Sequence, residues 1–228
     1  SVMQNPTEVK QNSYKPKKSK KMKKIITLLA IAAMSAFIMI SCSGSGSSKG
    51  PFGSLPEKCA QFQQEKGQLE KEAESITTEA EKAKLMEKWN KMVEKWRPKI
   101  EESAKALEGK AIEFAEGDFN VTEPISFQFD KFFGDNELTR LYFNVNGSAK
   151  AATDITTKYF GTRTPVYLVG YNAEGKEIYK IQIGKIEVEN RDGQGFIAAG
   201  TPVNFHSFMV NLGDQEYKDA QTLKLEVR

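Results

Sequence analysis

Val166-Tyr167-Leu168-Val169-Gly170-Tyr171-Asn172-Ala173-Glu174-Gly175-Lys176-Glu177-Ile178-Tyr179-Lys180-Ile181-Gln182-Ile183-Gly184-Lys185-Ile186-Glu187-Val188 reads as strand, turn and strand. Val166 to Val169 is apolar on both parities, as a strand covered on both faces requires. Asn172-Ala173-Glu174-Gly175 supplies turn residues, so the chain is expected to fold back as a hairpin. In the returning strand Ile181 and Ile183 share one parity while Ile186 and Val188 share the other. Gly184 sits where the phase changes and is a candidate β-bulge.

Working outward, the same period-two pattern recurs. Ile125, Phe127 and Phe129 alternate with Ser126, Gln128 and Asp130; Leu141, Phe143 and Val145 alternate with Tyr142 and Asn144; Leu223, Leu225 and Val227 alternate with Lys224 and Glu226. Each reads as a strand with one wet face. Arg191-Asp192-Gly193-Gln194-Gly195 reads as a loop, Val203 to Met209 as one strand, and Tyr217 to Ala220 as a connection into the last strand. Seven or eight short strands without intervening helices, over 110–228, predict an antiparallel sandwich. Ala173-Glu174-Gly175-Lys176-Glu177-Ile178, Gly200-Thr201-Pro202-Val203-Asn204-Phe205 and Ala220-Gln221-Thr222-Leu223-Lys224-Leu225 resemble segments of the immunoglobulin-like β-sandwich modules of many uncharacterised exported bacterial lipoproteins. That resemblance implies a fold and no common activity.

Upstream, residues 57–108 are dense in Glu, Lys and Ala, with apolar residues at Phe62, Leu69, Ala73, Ile76, Ala80, Ala83, Met86, Trp89, Val93, Trp96, Ile100, Ala104 and Leu107. Gaps of mostly three and four place these on one stripe of a helix. The fold class is therefore α+β: a long N-terminal amphipathic helix or helical hairpin, then an antiparallel immunoglobulin-like β-sandwich. A single helix of coiled-coil character would reach about 78 Å. Ser75-Ile76-Thr77-Thr78 is the weakest stretch, and Thr78 with Glu81 has capping-box spacing that would begin a second helix. No Gly or Pro marks a turn there, so a continuous helix is favoured, with Gly67 a soft spot and Pro98 a kink or restart. Trp89, Val93 and Trp96 share a face that would serve as a ridge for a protein partner or for self-association. The alternative is that they pack on the β-domain or a neighbouring helix.

Lys23 and Lys24 precede the apolar run Ile25 to Ile40, followed by Ser41 and Cys42. A positive start, a short apolar centre and a small residue before the cut read as a secretory signal over residues 22–41. At 16 residues the run would span about 24 Å, short of the roughly 30 Å hydrocarbon core. Met39-Ile40-Ser41-Cys42 resembles the lipobox of Gram-negative bacterial lipoproteins, departing from it at Met39, where Leu is usual. The resemblance implies cleavage before Cys42 and lipid on its thiol. Residues 1–21 read as an over-extended N-terminus, and Ser43 to Pro51, rich in Ser and Gly, opens a tether over residues 42–56. With no Asp just after the cysteine and no acidic cluster, the resemblance implies a cell-envelope location, on the outer membrane's periplasmic face. Lipidation of Cys42 leaves Cys59 as the sole thiol, either a buried small apolar residue or the donor of an intermolecular disulfide.

The formal charge of +3 belongs to the leader. Residues 1–41 hold eight lysines against Glu8, leaving the remainder at net −4. This removes the case for nucleic acid. One His and one free Cys fall short of a zinc-type ligand set, no cofactor motif is present, and His206 reads as an ordinary strand residue. Gly193-Gln194-Gly195 has no following helix and lacks the third glycine of a dinucleotide loop. Glu187 and Glu189 share strand parity but alternate with Ile186 and Val188, as a solvated face does. Asp130, Asp135, Asn136 and Glu137 match no calcium loop. The chain reads as a non-catalytic binding or structural module. A small-ligand site or an enzyme would have to use the loops at Phe132 to Asn136 and Asn190 to Ala199.

Overall fold

The computed structural model describes residues 50–134, 138–158, 161–214 and 216–228. Within them lie helices α1 (Leu55–Glu74) and α2 (Glu79–Lys105) and strands β1 (Phe119–Phe133), β2 (Arg140–Ala151), β3 (Ile155–Thr157), β4 (Arg163–Tyr171), β5 (Glu177–Glu187), β6 (Glu189–Arg191), β7 (Gln194–Ile197), β8 (Val203–Phe205), β9 (Phe208–Asn211) and β10 (Thr222–Val227), with a 3-10 turn over Glu216–Asp219. The class is α+β, and every strand pairing is antiparallel. The sheets run β1-β2-β9, β10-β4-β5-β8 and β3-β7-β6.

The β4–β5 hairpin forms as its sequence dictates. Asn172 closes the turn, its Oδ1 accepting from the amides of Glu174 at 3.0 Å and Lys176 at 2.9 Å. The register slips between Val166 and Tyr167 so that Ile183 stands opposite no residue of β4, which places the bulge beside Gly184. A Cβ on Gly184 would meet Val203 Cγ1 at 3.0 Å and the Asn204 carbonyl at 3.1 Å, so glycine lets β8 approach. The segment Val203 to Met209 is not one strand. β8 pairs with β5 in one sheet and β9 with β2 in another, and the chain crosses between them at His206-Ser207. Arg191 to Gly195 is no irregular loop either. Asp192 at φ 51° and Gly193 at φ 77° form the tight turn of the β6–β7 hairpin.

Both free sheet edges with long strands are protected. Three register shifts and Pro124 interrupt β1. On β10, the Leu223 carbonyl accepts from the Ala115 amide at 3.0 Å, and the Val227 amide donates to the Asp118 carboxylate at 2.7 Å.

The helical segment is a hairpin, which overturns the favoured continuous helix. Helix α1 ends with Ser75 Oγ donating to the Glu72 carbonyl at 2.9 Å. Thr78 is extended, at φ −110° and ψ 153°, and closes a capping box with Glu81. No Gly or Pro was needed, because side chains satisfied the amides and carbonyls that the break exposes. Pro98 neither ends nor restarts α2. It is exposed, as is Glu94, whose carbonyl would otherwise accept from the N–H that proline lacks.

The hairpin is only partly a stalk. Cys59, Phe62, Met92, Val93, Trp96 and Ile100 belong to one buried cluster with Phe127, Phe143, Leu168, Ile183 and Leu225 of the sheets. Phe52 and Leu55, assigned by composition to the tether, are buried in that cluster too. The Phe52 ring lies 5.4 Å from Tyr217, 5.9 Å from Tyr179 and 6.5 Å from Phe127. Beyond Phe62 on α1 and before Leu85 on α2 the helices bury no residue fully, though Leu69 in this outer part packs half-buried against the core. No helix among the described residues is long and apolar enough to cross a membrane.

Candidate functional site

Trp89, Val93 and Trp96 do line one face of α2, but the face is largely covered. Val93 and Trp96 are buried and Trp89 is half-buried against the core. Trp96 is held across the hairpin, its Nε1 donating to Glu65 Oε2 at 2.6 Å. Lys95 Nζ reaches the same carboxylate at 2.7 Å, and the ammonium groups of Lys95 and Lys99 stand 5.2 Å and 5.0 Å from the indole ring. Burial acts to raise the Glu65 carboxyl, but the bonds from Lys95 and Trp96 outweigh it and hold the carboxyl below its ordinary value. With Lys88 pairing to Glu72, these contacts fix the register of α1 on α2. The three residues join the helices to each other and to the sheets; they form no exposed ridge.

Beside them, Gln61, Gln64, Glu65, Gln68, Lys95 and Trp96 line a shallow, polar groove of about 450 Å³ between the helices. Its floor is the Glu65–Trp96 contact, so it is the seam of the hairpin and not a separate recess.

Cys59 is fully buried at the root of α1. Burial pushes its thiol up to about 11, with the neighbouring Tyr217 hydroxyl opposing slightly. The Tyr217 and Tyr179 hydroxyls are buried in the same region, and neither has a partner of hydrogen-bonding geometry among the described residues. Burial drives both phenols far above the ordinary tyrosine range. A thiol this enclosed behaves as a small apolar side chain, and an intermolecular disulfide would require the root of the hairpin to open.

The other sequence candidates are dispersed. Glu187 pairs with Arg163 at 2.6 Å and Glu189 with Arg191 at 2.7 Å, so the two carboxylates serve separate ion pairs. His206 is exposed at the sheet crossing, its Nδ1 2.8 Å from the Ser207 carbonyl. Arg191 lies over the Phe196 ring at 3.7 Å, at the hairpin that carries Gly193 and Gly195. Asp135, Asn136 and Glu137, and with the first two the end of the candidate ligand loop at Phe132 to Asn136, lie outside the described residues, as does Cys42. Among the described residues no group of three or more His, Cys, Asp or Glu is placed to hold a metal ion.

No protein family, curated protein or solved structure matches this chain.

One surface feature escaped the sequence reading. On the outward face of β1-β2-β9, Lys131 stands opposite Tyr142, which stands opposite Met209, and Phe133 stands opposite Arg140. Phe133 is 52% exposed and Met209 39%. The Phe133 and Tyr142 rings lie 6.1 Å apart, with Arg140 over the first at 5.7 Å and Lys131 over the second at 5.8 Å. The pair Phe132-Phe133 carried the signal. Adjacent strand residues point to opposite faces, so one of two consecutive phenylalanines on a half-buried strand must face out. Phe132 turns inward, 5.3 Å from Phe129 and under the Arg97 guanidinium.

Proposed function

We propose that this chain is a lipid-anchored protein of the bacterial cell envelope, non-catalytic, whose hairpin and sheets together form a binding or structural module. The observation that carries the reading is Met39-Ile40-Ser41-Cys42 at the end of the apolar run Ile25 to Ile40, itself preceded by Lys23 and Lys24. Lipid on Cys42 supplies the attachment, because two or more acyl chains, at about 0.8 kcal/mol per buried methylene, hold a protein stably to a bilayer. The outer membrane's periplasmic face is the assigned site. The antiparallel sheets with a shared apolar core support the finer reading of an immunoglobulin-like sandwich, to which the hairpin is docked by Phe62, Met92 and Ile100. The partner is a protein, or a second copy of the chain meeting it through the outer part of the hairpin; no cofactor and no nucleic acid is assigned.

The test is metabolic labelling with an alkyne fatty acid in a Gram-negative host producing the full chain. Label on the wild type and none on Cys42→Ala is expected. Equal labelling of both proteins, or none on either, overturns the reading.

A further inference from the structure

We propose that the outward face of the β1-β2-β9 sheet rests on the phospholipid surface to which the chain is anchored, with Phe133, Tyr142 and Met209 entering the headgroup layer. The inference rests on the reading that Cys42 carries lipid. Of the four exposed large hydrophobic residues among those described, two, Phe133 and Met209, lie on this one face, with Tyr142 between them. Aromatic side chains with a polar edge, and apolar ones beside them, partition to the water–bilayer boundary. Lys131 and Arg140 flank the apolar residues with long side chains whose charged ends lie beside the rings, placed to meet headgroup phosphates while their stems cover apolar surface. Asp130 is near Lys131, and Asp135 and Glu137 follow in the sequence, so the lipid expected is one whose phosphate is available without a requirement for strong net negative charge.

The length of chain between anchor and fold permits this contact. The eight residues from Cys42 to Gly50 span at most about 29 Å. At Gly50 the chain lies against the Ala220 carbonyl, and Phe52 packs on Tyr217, which follows β9 and its Met209 by a short connection. The hairpin exposes one large hydrophobic residue among those described, Met86. Its exposed faces carry Glu–Lys pairs such as Lys82–Glu79, Lys91–Glu87 and Lys105–Glu101.

The full-length lipidated protein is reconstituted in vesicles of phosphatidylethanolamine and phosphatidylglycerol, with an environment-sensitive fluorophore on Met209→Cys or, as control, on Lys82→Cys at the hairpin's outer end. Burial protects Cys59 from the label, and acylation occupies Cys42 in the mature chain. We expect blue-shifted emission at 209 that is quenched by headgroup-labelled lipid, water-like emission at 82, and loss of the shift at 209 when Phe133→Glu is added. Water-like emission at both positions on protein that floats with the vesicles overturns this proposal and leaves the anchor standing. Protein that does not float overturns the anchor and the proposal with it. A shift at 209 that ignores the lipid quencher and fades as protein is diluted over more vesicles identifies a second copy as the occupant and overturns the proposal.

Discussion

Replacing Phe52 by Ala separates a chain whose fold begins at Gly50 from one whose fold begins at the helix. Composition places Phe52 within a Ser/Gly-rich tether, where substitution would change stability by no more than about 0.5 kcal/mol. The structure places its ring in the core, 3% exposed, packed edge-on against Tyr179 and Tyr217. Truncating a buried phenylalanine costs about 3–5 kcal/mol, the sum of lost transfer energy and the cavity left behind. The upper half of that range applies here, because Tyr217 and Leu55 are themselves almost fully buried and rigidly held, and cannot collapse into the space. For a domain of this size such a loss lowers the melting temperature by roughly 8–20 °C. Guanidinium unfolding of the full chain, followed by the fluorescence of Trp89 and Trp96, measures it directly. A midpoint within error of the wild type, with an unchanged slope, would refute the burial of Phe52 and return the residues before Leu55 to the tether.

Three further outcomes follow from the same geometry. The Cys59 thiol, raised from 9.0 to about 11, should resist an aromatic disulfide reagent at pH 8 in the native protein and react at once in denaturant; because the folded value is the higher one, its contribution to stability is intact below 9.0 and is lost as pH rises toward 11, so rapid native labelling at pH 8 would contradict the burial. Thr78→Ala removes the capping oxygen and should cost about 1 kcal/mol, with faster amide exchange confined to the start of α2, whereas exchange unchanged at Glu81 and Lys82 would mean that the helix does not begin there. Gly184→Ala forces a methyl to within 3.0 Å of Val203 and should cost about 1–3 kcal/mol in the unfolding midpoint, while a neutral result would show β8 free to move away.

What the sequence made legible was governed by local periodicity. The β4–β5 hairpin, the bulge at Gly184 and the wet-faced strands β1, β2 and β10 follow from alternation and turn chemistry, which depend only on neighbours in the chain. The hairpin break was also present in the residues, in Thr78 and Glu81. The lack of Gly or Pro argues for continuity, but a cap by itself can satisfy the amides that a new helix exposes. Asp192-Gly193 is a two-residue turn signal, but the flanking strands β6 and β7 are too short to show the alternation that would mark a hairpin. The crossing at His206-Ser207 shows only as a change of phase, with Val203 and Phe205 on one parity and Phe208 and Val210 on the other, and a bulge within one strand would leave the same mark; pairing with β5 and β2 reveals two strands. For the site, periodicity could place Trp89, Val93 and Trp96 on one face but could not show that Glu65 and the sheet cover it. The exposed aromatic face depended on a bulge at Asp130 that resets parity before Phe133, which a strictly alternating reading does not anticipate.

The mass of the mature protein's N-terminal peptide reads the anchor itself. A chain that begins at Cys42 with a diacylglyceryl group on its sulfur is expected. A peptide that runs through Ser41 into an unmodified Cys42 would contradict it.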